Sequence, residues 1–211
     1  MKENKKVYSV LGDSISTYEG YTPAKGVFFD RYNQYESGLT SVEDTWWMQV
    51  IRAKDGVLGY NNSLAGSLVS GGVVSSHTDP GRIRDLGRNG IPDIILVFAG
   101  CNDWAFCVHP DVFRRDYGLM LDRIRETYPE AEIWCATLPE GREVDPMDQF
   151  FFNVDGRISG EVYSNIIRRL AEEKGMNVAD LAACGTYETI DGVHPNRQGM
   201  KDLAAMWMKD L

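Results

Sequence analysis

Apolar and polar positions along the chain follow two alternating periods. Short runs of apolar, β-branched residues predict strands at residues 6–12 (KVYSVLG), 93–100 (DIILVFAG), 132–139 (EIWCATLP) and 176–181 (MNVADL), with a weaker one within 56–66. The run at 93–100 is apolar throughout, as expected of a central parallel strand covered on both faces. Between these runs, apolar residues recur at helical spacing. Helices are predicted over 45–56 with an Asp44 or Thr45 cap, 111–129 closed by Pro129, 160–175 capped by Gly175, and 196–211.

Strand–helix alternation of this kind predicts an α/β domain, a parallel sheet of five strands with helices on both sides. No repeat, low-complexity tract or linker-like shift divides residues 1–211, so one domain is expected. Two connections are long, 17–44 and 139–156, and both leave the carboxyl ends of predicted strands, where ligands of open α/β sheets bind.

Composition narrows the partners. The net charge of −9, with no basic cluster to offset it, argues against nucleic acid and anionic membranes. No apolar run reaches membrane-spanning length and the first residues lack a signal-peptide core, so a cytoplasmic location is the default expectation, and a secreted one if a leader is removed. Cys101, Cys107, Cys135 and Cys184 form no CxxC pair, and with three histidines in the chain no zinc cluster is expected. Cys101 and Cys135 read as small buried hydrophobes; a disulfide stays open, as does the oligomeric state.

Four polar blocks stand where strands end or a helix is about to begin. GDS at 12–14 offers Ser14, a weak nucleophile until a base takes its proton; the ordinary reading is a turn cap. DGVHPN at 191–196 spaces Asp191 and His194 so that the carboxylate can fold back on Nδ1 and leave Nε2 free; alone, the motif also reads as a turn. GCND at 100–103 offers the Asn102 amide, otherwise an Asx-turn or a helix cap. NNSLAGS at 61–67 offers the Gly66 N–H, otherwise a loop glycine.

Together the four blocks supply a nucleophile, an oriented base and two oxyanion donors, once each. GDSIS, NNSLAGS, GCND and DGVHPN resemble the blocks of the SGNH subgroup of the GDSL hydrolases, from residue 12 to the last helix, with Ile15 in place of that name's leucine. The resemblance implies a flavodoxin-like three-layer α/β/α sandwich. It implies Ser14 as nucleophile and oxyanion donor, Gly66 and Asn102 as further donors, His194 as base and Asp191 as its orienter, with no metal or cofactor. GxSxG, Walker and HExxH signatures are absent.

The expected activity is hydrolysis of a small-molecule or saccharide acyl ester, with carbohydrate O-acetyl esters favoured. A longer-chain esterase or thioesterase is an alternative, and a non-catalytic sugar-binding relative another. A flavin-binding reading of GDSIST is opposed by the Asp13 charge and leaves DxxH unexplained. Aromatic residues in the long loops, among them Tyr18, Tyr21 and Phe151, and Trp104 beside GCND are candidate substrate contacts, with loop packing as the alternative. His77 and His109 read as surface or loop-packing side chains, and HTDPG at 77–81 as a turn.

Overall fold

The computed structural model describes residues 5–72, 75–143 and 158–211. Five strands form one parallel sheet: β1 (Val7–Gly12), β2 (Val57–Asn61), β3 (Ile94–Phe98), β4 (Glu132–Ala136) and β6 (Asn177–Ala179), in the order β2-β1-β3-β4-β6. This is the flavodoxin-like doubly wound arrangement. Every residue of β3 is buried, which explains its unbroken apolar run.

Helices cover both faces. On one side α2 (Trp46–Ala53) packs against α7 (Arg197–Asp210). On the other, α5 (Pro110–Thr127) packs between α3 (Pro80–Asp85) and α6 (Gly160–Glu173). The first pair is locked by Trp46 and Trp207, whose fully buried rings stack 5.0 Å apart and within 3° of parallel. Thr45 caps α2 by accepting from the Met48 N–H. Pro110 opens α5 at a position where its missing N–H costs nothing. Among the described residues, no helix is long and apolar enough to cross a membrane.

Several elements differ from the sequence expectation. The stretch 17–44 contains α1 (Arg31–Ser37), capped by the Asp30 carboxylate. The HTDPG segment begins as the expected turn, with the Asp79 N–H donating to Ser76 C=O at 3.1 Å, and then leads into α3, with Asp79 as N-cap and Pro80 at the first position. GCND opens a short helix, α4 (Cys101–Ala105). β5 (Glu140–Glu143) lies in the stretch expected to be a loop, and pairs in parallel with β7 (Thr186–Thr189) as a separate two-stranded sheet. These pieces are too short to show a period, and their pairing is decided by distant chain. Phe151, with its neighbours Phe150 and Phe152 in the 139–156 connection, lies outside the described residues. All four cysteines are free: Cys135 is buried, as read from its apolar setting, Cys101 and Cys184 are half-buried, and Cys107 is exposed.

Register brings the polar blocks together. Gly12 pairs with Phe98, so the turn after β1 lies beside Gly100–Asn102. Val10 pairs with Asn61, so the same turn lies beside the loop leading to Gly66. β7, packed against α7, carries residues 191–194 to the same edge.

Candidate active site

Ser14 opens a 3₁₀ turn (Ser14–Ser16) directly after β1, with Asp13 as N-cap accepting from the Ile15 N–H at 3.0 Å. At this first position the Ser14 N–H has no helical carbonyl to meet. Gly12 is required here by space: a Cβ would stand 2.7 Å from Ser16 Oγ and 3.0 Å from Ser63 Oγ. Ser16 Oγ in turn accepts from the buried Trp46 indole at 3.2 Å, tying the turn to α2.

The loop after β7 is held by its own bonds. Ile190 N–H donates to His194 C=O at 2.9 Å, and Tyr187 Oη to Val193 C=O at 2.7 Å. Asp191 Oδ1 accepts the N–H groups of Val193 and His194 at 3.0 and 2.7 Å. Its Oδ2 lies 2.6 Å from His194 Nδ1, and His194 Nε2 lies 2.8 Å from Ser14 Oγ. Burial raises the Asp191 pKa, but the bonds from the His194 ring and from the two N–H groups outweigh it and hold the carboxyl below its usual range. An ionised carboxylate fixes the tautomer with the proton on Nδ1, leaving Nε2 as acceptor toward the hydroxyl.

Gly66 sits at φ +71, a conformation that favours glycine, and is exposed with open space around its α-carbon. Its N–H makes no hydrogen bond among the described residues. Asn102, the second residue of α4, spends one amide proton on Ser67 C=O at 3.0 Å and keeps the other. The adjacent Asp103 is buried and accepts from Val69 and Ser70 N–H at 2.8 and 2.9 Å. Burial pushes its pKa up against those bonds. The GCND block thus fastens the Gly66 loop with two of its side chains. In the sequence Asp103 carried no signal of that second task.

Beneath the Ser14 turn lies a buried charged cluster that sequence reading missed. Arg82 donates to the carbonyls of Gly12, Asn62 and Ser75 at 3.2, 2.6 and 2.7 Å. Burial raises the Asp13 pKa to about 6, and it lowers Arg82 to about 10. His77 is fully buried, not at the surface. Its ring nitrogens approach the carbonyls of Leu68 and Gly12 without a well-aligned bond, and burial, with Arg82 nearby, lowers its pKa to about 3. His109 is exposed, its Nδ1 meeting the Asp111 N–H at 3.3 Å.

The aromatic candidates separate. Tyr18 is buried and packs edge-on to Tyr21, which is exposed and tilts against Trp47, so their ring contacts run toward α2. Trp104 follows Asn102 on α4 and donates its indole N–H to Ile158 C=O at 2.8 Å. The ring lying on His194 is Phe28, one of six aromatic residues in its loop and not distinguished from the others by any sequence signal.

A family model described as GDSL-like lipase/acylhydrolase matches residues 6–211. A crystal structure described as a GDSL-like lipase from Bacteroides uniformis superposes with a TM-score of 0.73 at 26% identity, covering 99% of this chain and 96% of that one. A carbohydrate acetylesterase from Sinorhizobium meliloti shares the fold with a TM-score of 0.69 at 16% identity, covering 97% and 98%. A multidomain esterase from Ruminococcus flavefaciens is 25% identical over 222 residues, which take in 95% of this chain; the chain spans 28% of that relative's length.

Proposed function

The chain belongs to the GDSL-like lipase/acylhydrolase family, and from that premise we propose that it is a serine esterase working through Ser14, His194 and Asp191, with O-acetyl groups on carbohydrate as its substrate class. The observation that carries this reading is the continuous line from Asp191 Oδ2 to Nδ1 at 2.6 Å and from Nε2 to Ser14 Oγ at 2.8 Å. A base that is oriented on one side and within reach of a hydroxyl on the other is what an inactive serine needs to attack a carbonyl.

In this reading His194 Nε2 takes the Ser14 proton as Oγ bonds to the ester carbonyl carbon. The electron pair displaced onto the carbonyl oxygen meets the Ser14 N–H, the Gly66 N–H and the free Asn102 amide proton. The imidazolium, steadied by Asp191, then gives its proton to the departing alcohol as the ester bond breaks. Water repeats the sequence against the acyl-serine: His194 takes its proton, the acid leaves and Ser14 is restored.

The carbohydrate part of the proposal is supported by the aromatic ring of Phe28 beside His194, because ring faces suit the apolar faces of sugars. The carbohydrate acetylesterase from Sinorhizobium meliloti has the same fold.

The test is hydrolysis of acetylated saccharides beside aryl esters of increasing acyl length, with Ser14→Ala as control. Acetate is expected to be the best acyl group, and acetylated saccharides better substrates than simple aryl acetates. A preference for eight or more carbons would replace the deacetylase reading with a longer-chain acyl hydrolase. An unchanged rate in Ser14→Ala would remove the triad.

A further inference from the structure

The loop between β1 and α1 brings a phenyl ring onto the imidazole. Phe28 lies flat on His194, with centroids 3.4 Å apart and planes 8° from parallel, and Phe29 meets the same imidazole edge-on at 6.5 Å. The backbone that carries Phe28 is tightly held. Its N–H donates to Thr17 Oγ1 at 2.9 Å, and its C=O accepts from Asn33 Nδ2 at 2.7 Å. Thr17 Oγ1 also donates to the carbonyl of Ser14 at 2.9 Å, so one hydroxyl links the serine's own peptide to the residue covering the imidazole. Gly26 C=O accepts from the Ala65 N–H at 2.6 Å, which ties this loop to the loop that carries Gly66.

We propose that Phe28 is a positioning residue for His194, fixing the plane in which the imidazole meets Ser14 and Asp191 and offering its π face to the charge the ring gains during attack. The inference rests on the triad reading above. Bonds at Nδ1 and Nε2 both lie in the imidazole plane, and they resist rotation about the line joining the two nitrogens only weakly. A flat contact on the ring face opposes that rotation directly.

The stacking geometry also discriminates between charge states. Two neutral rings prefer an offset or edge-on arrangement to a centred sandwich, whereas a cation over a ring face is attracted by its quadrupole. The contact is therefore better for the imidazolium than for the neutral base, and an interaction that strengthens as the reaction proceeds raises kcat. Two carboxylates interact with His194, Asp191 on its own loop and Asp13 on the β1 turn. The covering loop contributes the uncharged rings of Phe28 and Phe29.

The experiment compares Phe28→Leu, Phe28→Tyr and Ser14→Ala on a small aryl acetate. Leucine keeps the apolar cover and loses the flat π face, so kcat is expected to fall about tenfold with KM within about twofold. Tyrosine restores the face and should keep kcat within about twofold of the parent. The proton NMR resonance of the hydrogen between His194 Nδ1 and Asp191 should broaden in Phe28→Leu and stay sharp in Phe28→Tyr. An unchanged kcat in Phe28→Leu, or an equal loss in both Phe28 variants, overturns the proposal; the triad then still stands if Ser14→Ala is inactive. If Phe28→Leu fails to fold, Thr17→Val takes its place, with the same loss of kcat expected and Thr17→Ser as its rescue. An unchanged kcat in Thr17→Val overturns the proposal in that case.

Discussion

Arg82 donates from its guanidinium to the carbonyl of Gly12 at 3.2 Å, although 70 residues separate them. The same cation holds the carbonyls of Asn62 and Ser75, while Asn62 Nδ2 returns a bond to Arg82 C=O at 2.8 Å. One buried side chain thus fastens the ends of β1 and β2 and the start of α3 beneath Ser14. Arg82→Met removes one donor from each of three carbonyls, of which Gly12 C=O keeps the Leu64 N–H. Urea unfolding should show a loss of about 3 kcal/mol, and kcat should fall because the Ser14 turn loses its support. A loss under about 0.5 kcal/mol would show that Arg82 is not what fastens this corner.

Asp13 and His77 give opposite pH slopes to stability. The Asp13 pKa is raised to about 6, so its contribution is complete below the unfolded value of 3.8 and is lost as pH rises through 6. The His77 pKa is lowered to about 3, so its contribution is complete above 6.5 and is lost as pH falls toward 3. The two slopes cancel between about pH 4 and 6. Asp13→Asn should gain on the parent as pH rises across this window, by about 3 kcal/mol at the top. His77→Leu should gain on the parent as pH falls across it. Thermal unfolding of the three proteins from pH 3 to 8 reads both differences; parallel curves would contradict the assignment.

Asn102→Ala removes the amide proton proposed for the oxyanion and also the bond to Ser67 C=O. The expected cost is about 10²- to 10³-fold in kcat with a small change in KM. Stability should change little, because Asp103 still holds the Gly66 loop through Val69 and Ser70. Steady-state kinetics together with a melting curve separates the two effects, and a fall confined to KM would remove Asn102 from the oxyanion site.

Two glycines should respond differently to alanine. At Gly66 nothing lies within 4 Å of the added carbon, and the cost is that of φ +71, about 1 kcal/mol. At Gly12 the added carbon meets Ser16 Oγ at 2.7 Å, so the turn has to move and both stability and kcat should drop by more than in Gly66→Ala. Equal melting temperatures for the two variants would argue against the crowding at Gly12.

The sheet was legible because its strands carry their own signal: residues 93–100 are apolar throughout, and β3, buried at every position, is what such a run forms. Ser14, Asp191 and His194 could be singled out because each block pairs a turn with a reactive group, and the fold does bring them within hydrogen-bond distance. Phe28, Arg82 and Asp103 could not be singled out. Each acts through a partner 33 or more residues away in the chain, and neither periodicity nor a turn motif records a distant neighbour. The β5–β7 pair was missed for the same reason.

The bond between Ser14 and His194 joins residues 180 positions apart. Loop closure over such a span is among the slow events of folding. During refolding from denaturant, helix content should therefore return first and turnover last, so that the lag in recovered catalysis times the arrival of the imidazole at an already formed sheet.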